Sequence, residues 1–139
     1  MTRQELSKIM AECRTSSGLL MKNICFKLNC MPRDVYRLDK GTYNYNLQKC
    51  LDYLAALGQR MVIADINNKD TAIKDYNNLV SYIIRERNGS YSQRGLAEAV
   101  GCSHIMIALF ETGKTTITID SLLKICEVLH LTIKVEPYE

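Results

Sequence analysis

The chain has 139 residues with a formal net charge of +3, and 47% of them are hydrophobic and 24% charged. These proportions allow a buried core, and the length alone is typical of about one domain. No apolar run approaches the roughly 20 residues that span a bilayer, which argues against a membrane protein.

The chain begins with an amphipathic segment that predicts a helix and not a signal peptide. Thr2 and Glu5 have the spacing of a capping box, in which the two residues satisfy each other's backbone amides. We therefore expect a cytoplasmic protein.

Turn residues divide the rest of the first half. Asn29 can end a short helix in left-handed geometry, and Pro32 suits the first position of the next helix, where its missing N–H costs nothing. Residues 61–65 predict a strand, and residues 67–70 are a polar turn cluster in the linker between the halves. A helix is expected to follow, with apolar residues at helical spacing: Ile73, Tyr76, Val80, Ile83 and Ile84.

The second half has the punctuation of two helices joined by a tight turn. Ser92 and Ser103 are good helix N-caps, and Gly101 can stop the first helix between them. Ile107 and Phe110 would face inward from the second helix. The pattern is a helix, a turn and a helix.

Two further elements complete this half. Gly113 ends the pair of helices, and Thr118 is expected to cap the next helix. An apolar stripe on that helix would cover the pair, with Leu122, Leu123, Ile125, Cys126 and Leu129. Residues 131–136 alternate with the period of a half-buried strand.

The two halves align at a constant offset of 72 positions. The aligned pairs are Ile24 with Leu96, Cys30 with Cys102, Val35 with Ile107, Leu38 with Phe110, Asp39 with Glu111, Gly41 with Gly113, Leu57 with Leu129 and Ile63 with Val135. We interpret the chain as two copies of one helical unit, residues 1–68 and residues 69–139.

The second copy resembles the Xre, or lambda-repressor-like, family of DNA-binding domains. The positions that match the family's pattern are Ser92, Gln93, Leu96, Ala97, Gly101, Cys102, Ser103, Ile107, Glu111 and Gly113. The resemblance implies a mainly α fold of two tandem helix-turn-helix units, each followed by a short strand. It also implies DNA contacts in this copy from Gln93, Arg94, Ser103, His104 and Lys114.

The strand after each unit is similar to those of HipB-type antitoxins within that family, in which such strands pair across a dimer. Residues 61–65 and 132–136 have no partner within their own copy, which leaves unpaired edges. Pairing them would relate the copies by a pseudo-two-fold axis. One chain would then imitate a dimer and address two half-sites about 34 Å apart.

Charge distinguishes the copies. Residues 1–68 carry ten bases and six acids, a net of +4, whereas residues 69–139 carry eight bases and nine acids, a net of −1. A DNA-binding surface must neutralise phosphates, so the first copy is the better candidate for binding DNA.

The first recognition helix, residues 32–38, would present polar side chains. Its candidate DNA contacts, with those of the following loop, are Arg33, Asp34, Tyr36, Arg37, Lys40, Tyr43 and Asn44. Arginine can bind the O6 and N7 edge of guanine, which gives about 1–3 kcal/mol of discrimination, while the loop would hold phosphates. The alternative is an ordinary solvated helix face.

The second recognition helix is apolar on its expected outer side, where Ile105, Met106 and Leu109 lie. Such side chains can contact thymine methyl groups. Alternatively the helix docks a protein partner, because exposed apolar patches usually mark interfaces, and we favour this interpretation.

No catalytic, metal or cofactor site is predicted. The six cysteines form no C-x-x-C pair and the chain has only two histidines, so reduced, buried thiols are favoured over a zinc site or disulfides. We expect a non-enzymatic regulator that binds double-stranded DNA mainly through the first copy. The alternative is an interaction module, an antitoxin or adaptor, that binds a toxin-like protein or a second copy of itself.

Overall fold

A computed structural model describes residues 1–138 as a mainly helical protein with one small antiparallel sheet. Within those residues the helices are α1 (Arg3–Ser17), α2 (Met21–Leu28), α3 (Pro32–Lys40), α4 (Leu47–Ala56), α5 (Tyr76–Asn88), α6 (Gln93–Val100), α7 (His104–Glu111) and α8 (Ile119–Val128). The strands are β1 (Gln59–Ala64), β2 (Asp70–Ala72) and β3 (Thr132–Pro137). None of these helices is long and apolar enough to cross a bilayer.

Local capping residues set several helix ends where the sequence predicts them. Thr2 and Glu5 form the expected capping box of α1. Asn29, with φ of 52°, and Gly101, with φ of 85°, end α2 and α6 in left-handed geometry. Pro32 is the first residue of α3, which begins without a side-chain cap from Met31.

The sheet joins the two halves of the chain. Its strand order is β2-β1-β3, and both pairings are antiparallel. Ile63 pairs with Ile133, and Val62 pairs with Lys134. The expected pairing of the strand near residue 63 with the strand near residue 133 is thus confirmed, whereas the edge strand β2 was not predicted.

The polar turn cluster 67–70 that follows β1 forms a hairpin turn, as its residues predict. The side chain of Asp65 accepts hydrogen bonds from the backbone N–H groups of Asn67 and Lys69, each at 2.9 Å. Asn68 is left-handed, with φ of 61°. The chain therefore reverses here, and Asp70 begins β2.

Helix α5 begins later than the sequence predicts. Asp75 is its N-cap and accepts a hydrogen bond from the backbone N–H of Asn78 at 2.8 Å. Ile73 precedes the helix, and its N–H donates to the carbonyl of Met61 at 2.9 Å, which continues the sheet pairing. The expectation that Ile73 belongs to the helix is wrong, although its side chain is buried.

One hydrophobic core runs through both halves of the chain. Its members from the first half include Leu6, Met10, Ile24, Val35, Leu47, Tyr53 and Ile63. Those from the second half include Leu79, Ile83, Leu96, Ile107, Phe110, Leu122 and Ile133. Cys25, Cys50 and Cys126 are buried with them, and burial raises the pKa of the Cys50 and Cys126 thiols to about 12. Thiols held in this neutral form act as small apolar side chains.

Candidate nucleic-acid interface

Helices α6 and α7 form a helix, a tight turn and a second helix. Ser92 caps α6 by accepting from the N–H of Gly95 at 2.9 Å, and Ser103 caps α7 by accepting from the N–H of Met106 at 3.1 Å. The left-handed Gly101 allows the turn between them. This arrangement leaves one face of α7 free of the rest of the fold.

A buried ion pair fixes α7 against α5. The guanidinium of Arg87 donates to both carboxylate oxygens of Glu111, in one case at 2.8 Å. It also donates to the carbonyl of Tyr91 at 3.0 Å, and Gln93 donates to Glu111 at 2.9 Å. The side chains of Arg87 and Glu111 are only 10% and 7% exposed. The two charges therefore depend on each other, because neither has access to much water.

Helices α2 and α3 repeat the arrangement in the first half, with different chemistry. Asp34 accepts from the N–H of Met31 at 2.9 Å, so it caps α3 and is only partly exposed. Asp39 takes the place of Glu111, accepting from Arg14 at 2.7 Å and from the hydroxyl of Tyr53. Burial, and then Asp39, raise the pKa of the Tyr53 hydroxyl, so Tyr53 remains a donor.

The outer face of α3 is polar and basic. Arg33, Arg37 and Lys40 are exposed, and none of the three forms a salt bridge or side-chain hydrogen bond within residues 1–138. Tyr36 is 48% exposed and lies beneath the guanidinium of Arg14, 5.7 Å from the centre of its ring. Two unpaired guanidinium groups one helical turn apart are thus available to an anionic or acceptor-rich ligand.

The loop after α3 is less available than the sequence predicts. Tyr43 is partly buried, packs edge-on against Tyr45 and lies beneath Lys49. The side-chain carbonyl of Asn44 accepts from the N–H of Asp120 at 3.0 Å, which satisfies an amide in the first turn of α8. The amide nitrogen of Asn44 is still free to donate, whereas Tyr43 is mainly a packing residue.

The outer face of α7 is apolar but smaller than expected. Ile105 is 65% exposed and Leu109 is 39% exposed, and they lie one turn apart. Met106 is partly buried and packs against the core, so the expectation that it faces outward is wrong. Met106 lies at the border between the buried and exposed faces of α7, one position before the fully buried Ile107.

The candidate phosphate contacts of the second half fall into two groups. Arg94, His104 and Lys114 are exposed, and Ser103 is exposed but accepts from an α7 amide. Gln93 is partly buried and donates to Glu111, so its side chain supports the fold. Arg94 and Lys114 are the cations that remain free to approach a phosphate backbone.

One cation was missed in the first half. Lys22 is exposed in the first turn of α2, 72 positions before Arg94. The offset of 72 positions could have identified it, because Lys22 and Arg94 are the second residues of α2 and α6. Lys22 thus joins the candidate phosphate contacts.

Comparison with known families singles out the second half of the chain. Residues 82–135 match the helix-turn-helix family model HTH_3. The matched segment begins within α5 and ends in β3, and it contains α6, α7 and α8. The segment is thus similar to helix-turn-helix domains of the Cro/C1 type, a class that binds DNA. Residues 1–81 lie outside the match, and neither a curated protein nor a solved structure matches the chain.

Proposed function

We propose that the chain is a sequence-specific, DNA-binding transcription regulator of the Xre type that reads DNA mainly through α3. The observation that carries the proposal is the pair of exposed, unpaired guanidinium groups of Arg33 and Arg37 on the second helix of a helix-turn-helix. The helix-turn-helix at residues 82–135 supplies the family context. Such a protein would act on double-stranded DNA in the cytoplasm, without a cofactor.

The arrangement of elements supports two tandem units in this regulator. Met21–Leu28 and Gln93–Val100 have equal length and lie 72 positions apart, as do Leu47–Ala56 and Ile119–Val128. The left-handed ends Asn29 and Gly101 obey the same offset. A duplicated unit explains all of these coincidences together.

The hydrogen bonds between the halves support a pseudo-dimer. Val62 pairs with Lys134, which is the same position in the other half, so the β1 and β3 register is symmetric about this pair. Near the starts of α4 and α8, Leu47 N–H donates to the carbonyl of Ile117 and Ile119 N–H donates to the carbonyl of Tyr45, each at 2.8 Å. The two bonds are equivalent under the offset of 72 positions, because Leu47 corresponds to Ile119 and Tyr45 corresponds to Ile117. An axis relating the units would present α3 and α7 to two half-sites about 34 Å apart on one DNA.

Selection from a random double-stranded DNA library, followed by fluorescence anisotropy on the enriched duplex, tests the proposal. We expect Arg33→Ala and Arg37→Ala each to weaken binding by about 5- to 150-fold, because a guanine contact is worth about 1–3 kcal/mol. Arg85→Ala removes an exposed charge from α5 and serves as the control. Affinity should also fall steeply between about 50 mM and 200 mM salt. Failure to enrich any sequence, or binding that ignores salt and both α3 variants, would reject the proposal.

An interaction module is the second candidate function. The exposure of Ile105 and Leu109 favours it, since an antitoxin or adaptor could dock a toxin-like protein or a second copy through α7. Sedimentation velocity of the wild type and Ile105→Glu distinguishes self-association through this face. If the wild type has a mass above that of one chain and the variant has the mass of one chain, the interaction module is supported. If both have the mass of one chain, a homodimer is excluded.

A further inference from the structure

We propose that the chain recognises a non-palindromic DNA site, with guanine edges read by α3 in one half-site and thymine methyl groups read by α7 in the other. The proposal rests on the tandem DNA-binding function above. It adds which base chemistry each helix selects and predicts that the two half-sites differ in sequence.

The two reading helices carry different residues at equivalent positions. Arg33 corresponds to Ile105 and Arg37 to Leu109, each 72 positions apart. Both pairs are spaced four residues apart, so each pair shares one helix face. All four residues are exposed, and the buried residues Val35 and Ile107 are equivalent as well, so both helices turn the same face outward.

This replacement exchanges one kind of base recognition for another. Guanidinium groups donate to the O6 and N7 acceptors of guanine. Isoleucine and leucine have no donor or acceptor, and the apolar group that base pairs present in the major groove is the thymine methyl. A helix that places Ile105 and Leu109 where Arg33 and Arg37 lie in the other half would therefore favour thymine.

The surroundings of α7 favour DNA over a protein partner. Met106 is partly buried, so the apolar face consists of two side chains. Stable protein interfaces need about 800 Å² on each partner, far more than two such side chains provide. Arg94 and Lys114 are exposed at the start of α6 and just after α7, where cations suit a phosphate backbone.

The strand pairing between the halves would let α3 and α7 contact two half-sites at once although their exposed residues differ. The symmetric register of β1 with β3 would hold the two helices at a fixed spacing, as a homodimer does. A homodimer presents identical residues to both half-sites and so selects a palindrome. This chain would keep the spacing while its two reading faces differ.

Base analogues in the enriched duplex test the proposal directly. Uracil in place of thymine removes only the methyl group, and 7-deazaguanine in place of guanine removes the N7 acceptor. We expect uracil to weaken binding by about fourfold for each contacted methyl, in one half-site only. This factor corresponds to the transfer free energy of one buried methyl-sized group. The effect should vanish in Ile105→Ala/Leu109→Ala, whereas the 7-deazaguanine effect should lie in the other half-site and vanish in Arg33→Ala/Arg37→Ala.

A reciprocal exchange gives an independent test. Ile105→Arg/Leu109→Arg should replace the thymine preference of the α7 half-site with a guanine preference, with circular dichroism confirming that the variant is folded. Lys114→Ala is the control, because loss of a phosphate contact weakens all sequences about equally.

The possible outcomes separate this proposal from the proposed function. A palindromic site for the wild type, or uracil without effect in either half-site, would overturn the proposal while DNA binding stands. Uracil without effect together with a mass above one chain that Ile105→Glu lowers would assign α7 to protein docking instead. No enriched DNA at all would reject both proposals.

Discussion

Replacing Arg87 by methionine should remove a large part of the stability of the second half. The variant leaves the carboxylate of Glu111 buried, with Gln93 as its remaining side-chain donor. Breaking a buried ion pair from one side costs about 3–5 kcal/mol, because the remaining charge keeps its desolvation penalty without its partner. That loss is a large fraction of the roughly 5–15 kcal/mol that stabilises a typical domain.

A double-mutant cycle separates the ion pair from packing. Arg87→Met and Glu111→Leu should each be strongly destabilising, whereas the double variant should lie within about 1–2 kcal/mol of wild type, since apolar replacement of both partners is often close to neutral. Arg85→Met is a matched control from the same helix, because Arg85 is 68% exposed and its surface ion pair contributes less than about 1 kcal/mol. The chain has no Trp, so urea unfolding is followed by far-ultraviolet circular dichroism. A cost for Arg87→Met no greater than that of Arg85→Met would refute the reasoning.

The remaining predictions concern stability, DNA binding and assembly. Tyr82→Phe should stabilise the protein by about 1–3 kcal/mol in urea unfolding, because the Tyr82 hydroxyl is buried with no hydrogen-bond partner among the described residues, whereas Tyr53→Phe should destabilise it. Burial raises the pKa of Tyr82 from 10.0 to about 12, so wild type should lose stability as the pH rises through that interval, and Tyr82→Phe should lose less. Asn44→Ala should cost about 0.5–2 kcal/mol through the amide of Asp120, and an unchanged affinity for DNA would show that Asn44 holds no phosphate. Sedimentation with labelled duplex should give one chain per DNA, and two chains per DNA would contradict the pseudo-dimer.

Local signals explain which parts of the fold the sequence predicts. Gly101, Asn29 and Ser103 act through their own backbone or nearest amides, so their effect is independent of the rest of the chain. The constant offset of 72 positions carries the remaining information, because helices related by it, such as α2 and α6, have equal length. These two signals together locate the helices around both turns.

Long-range contacts explain what the sequence does not predict. Strand β2 is three residues long and exists because β1 is beside it, so Asp70 and its neighbours have no strong pattern of their own. The Arg87 and Glu111 pair joins residues 24 positions apart, and nothing in the sequence around either residue identifies the partner. Helical periodicity does not predict the burial of a residue such as Met106, because it lies at the border between the buried and exposed faces of α7.

Joining two units in one chain has a consequence for how recognition can evolve. In a homodimer any substitution in the reading helix changes both half-sites at once. In a tandem chain of the proposed kind, Arg33 and Ile105 can differ while the β1 and β3 pairing preserves the spacing. In such a chain, contacts without a symmetric counterpart, such as the Arg3 and Asp120 ion pair at 2.5 Å, would reflect divergence of the interface between the halves. The second half-site would then add affinity through a high effective concentration, even where its base contacts are weak.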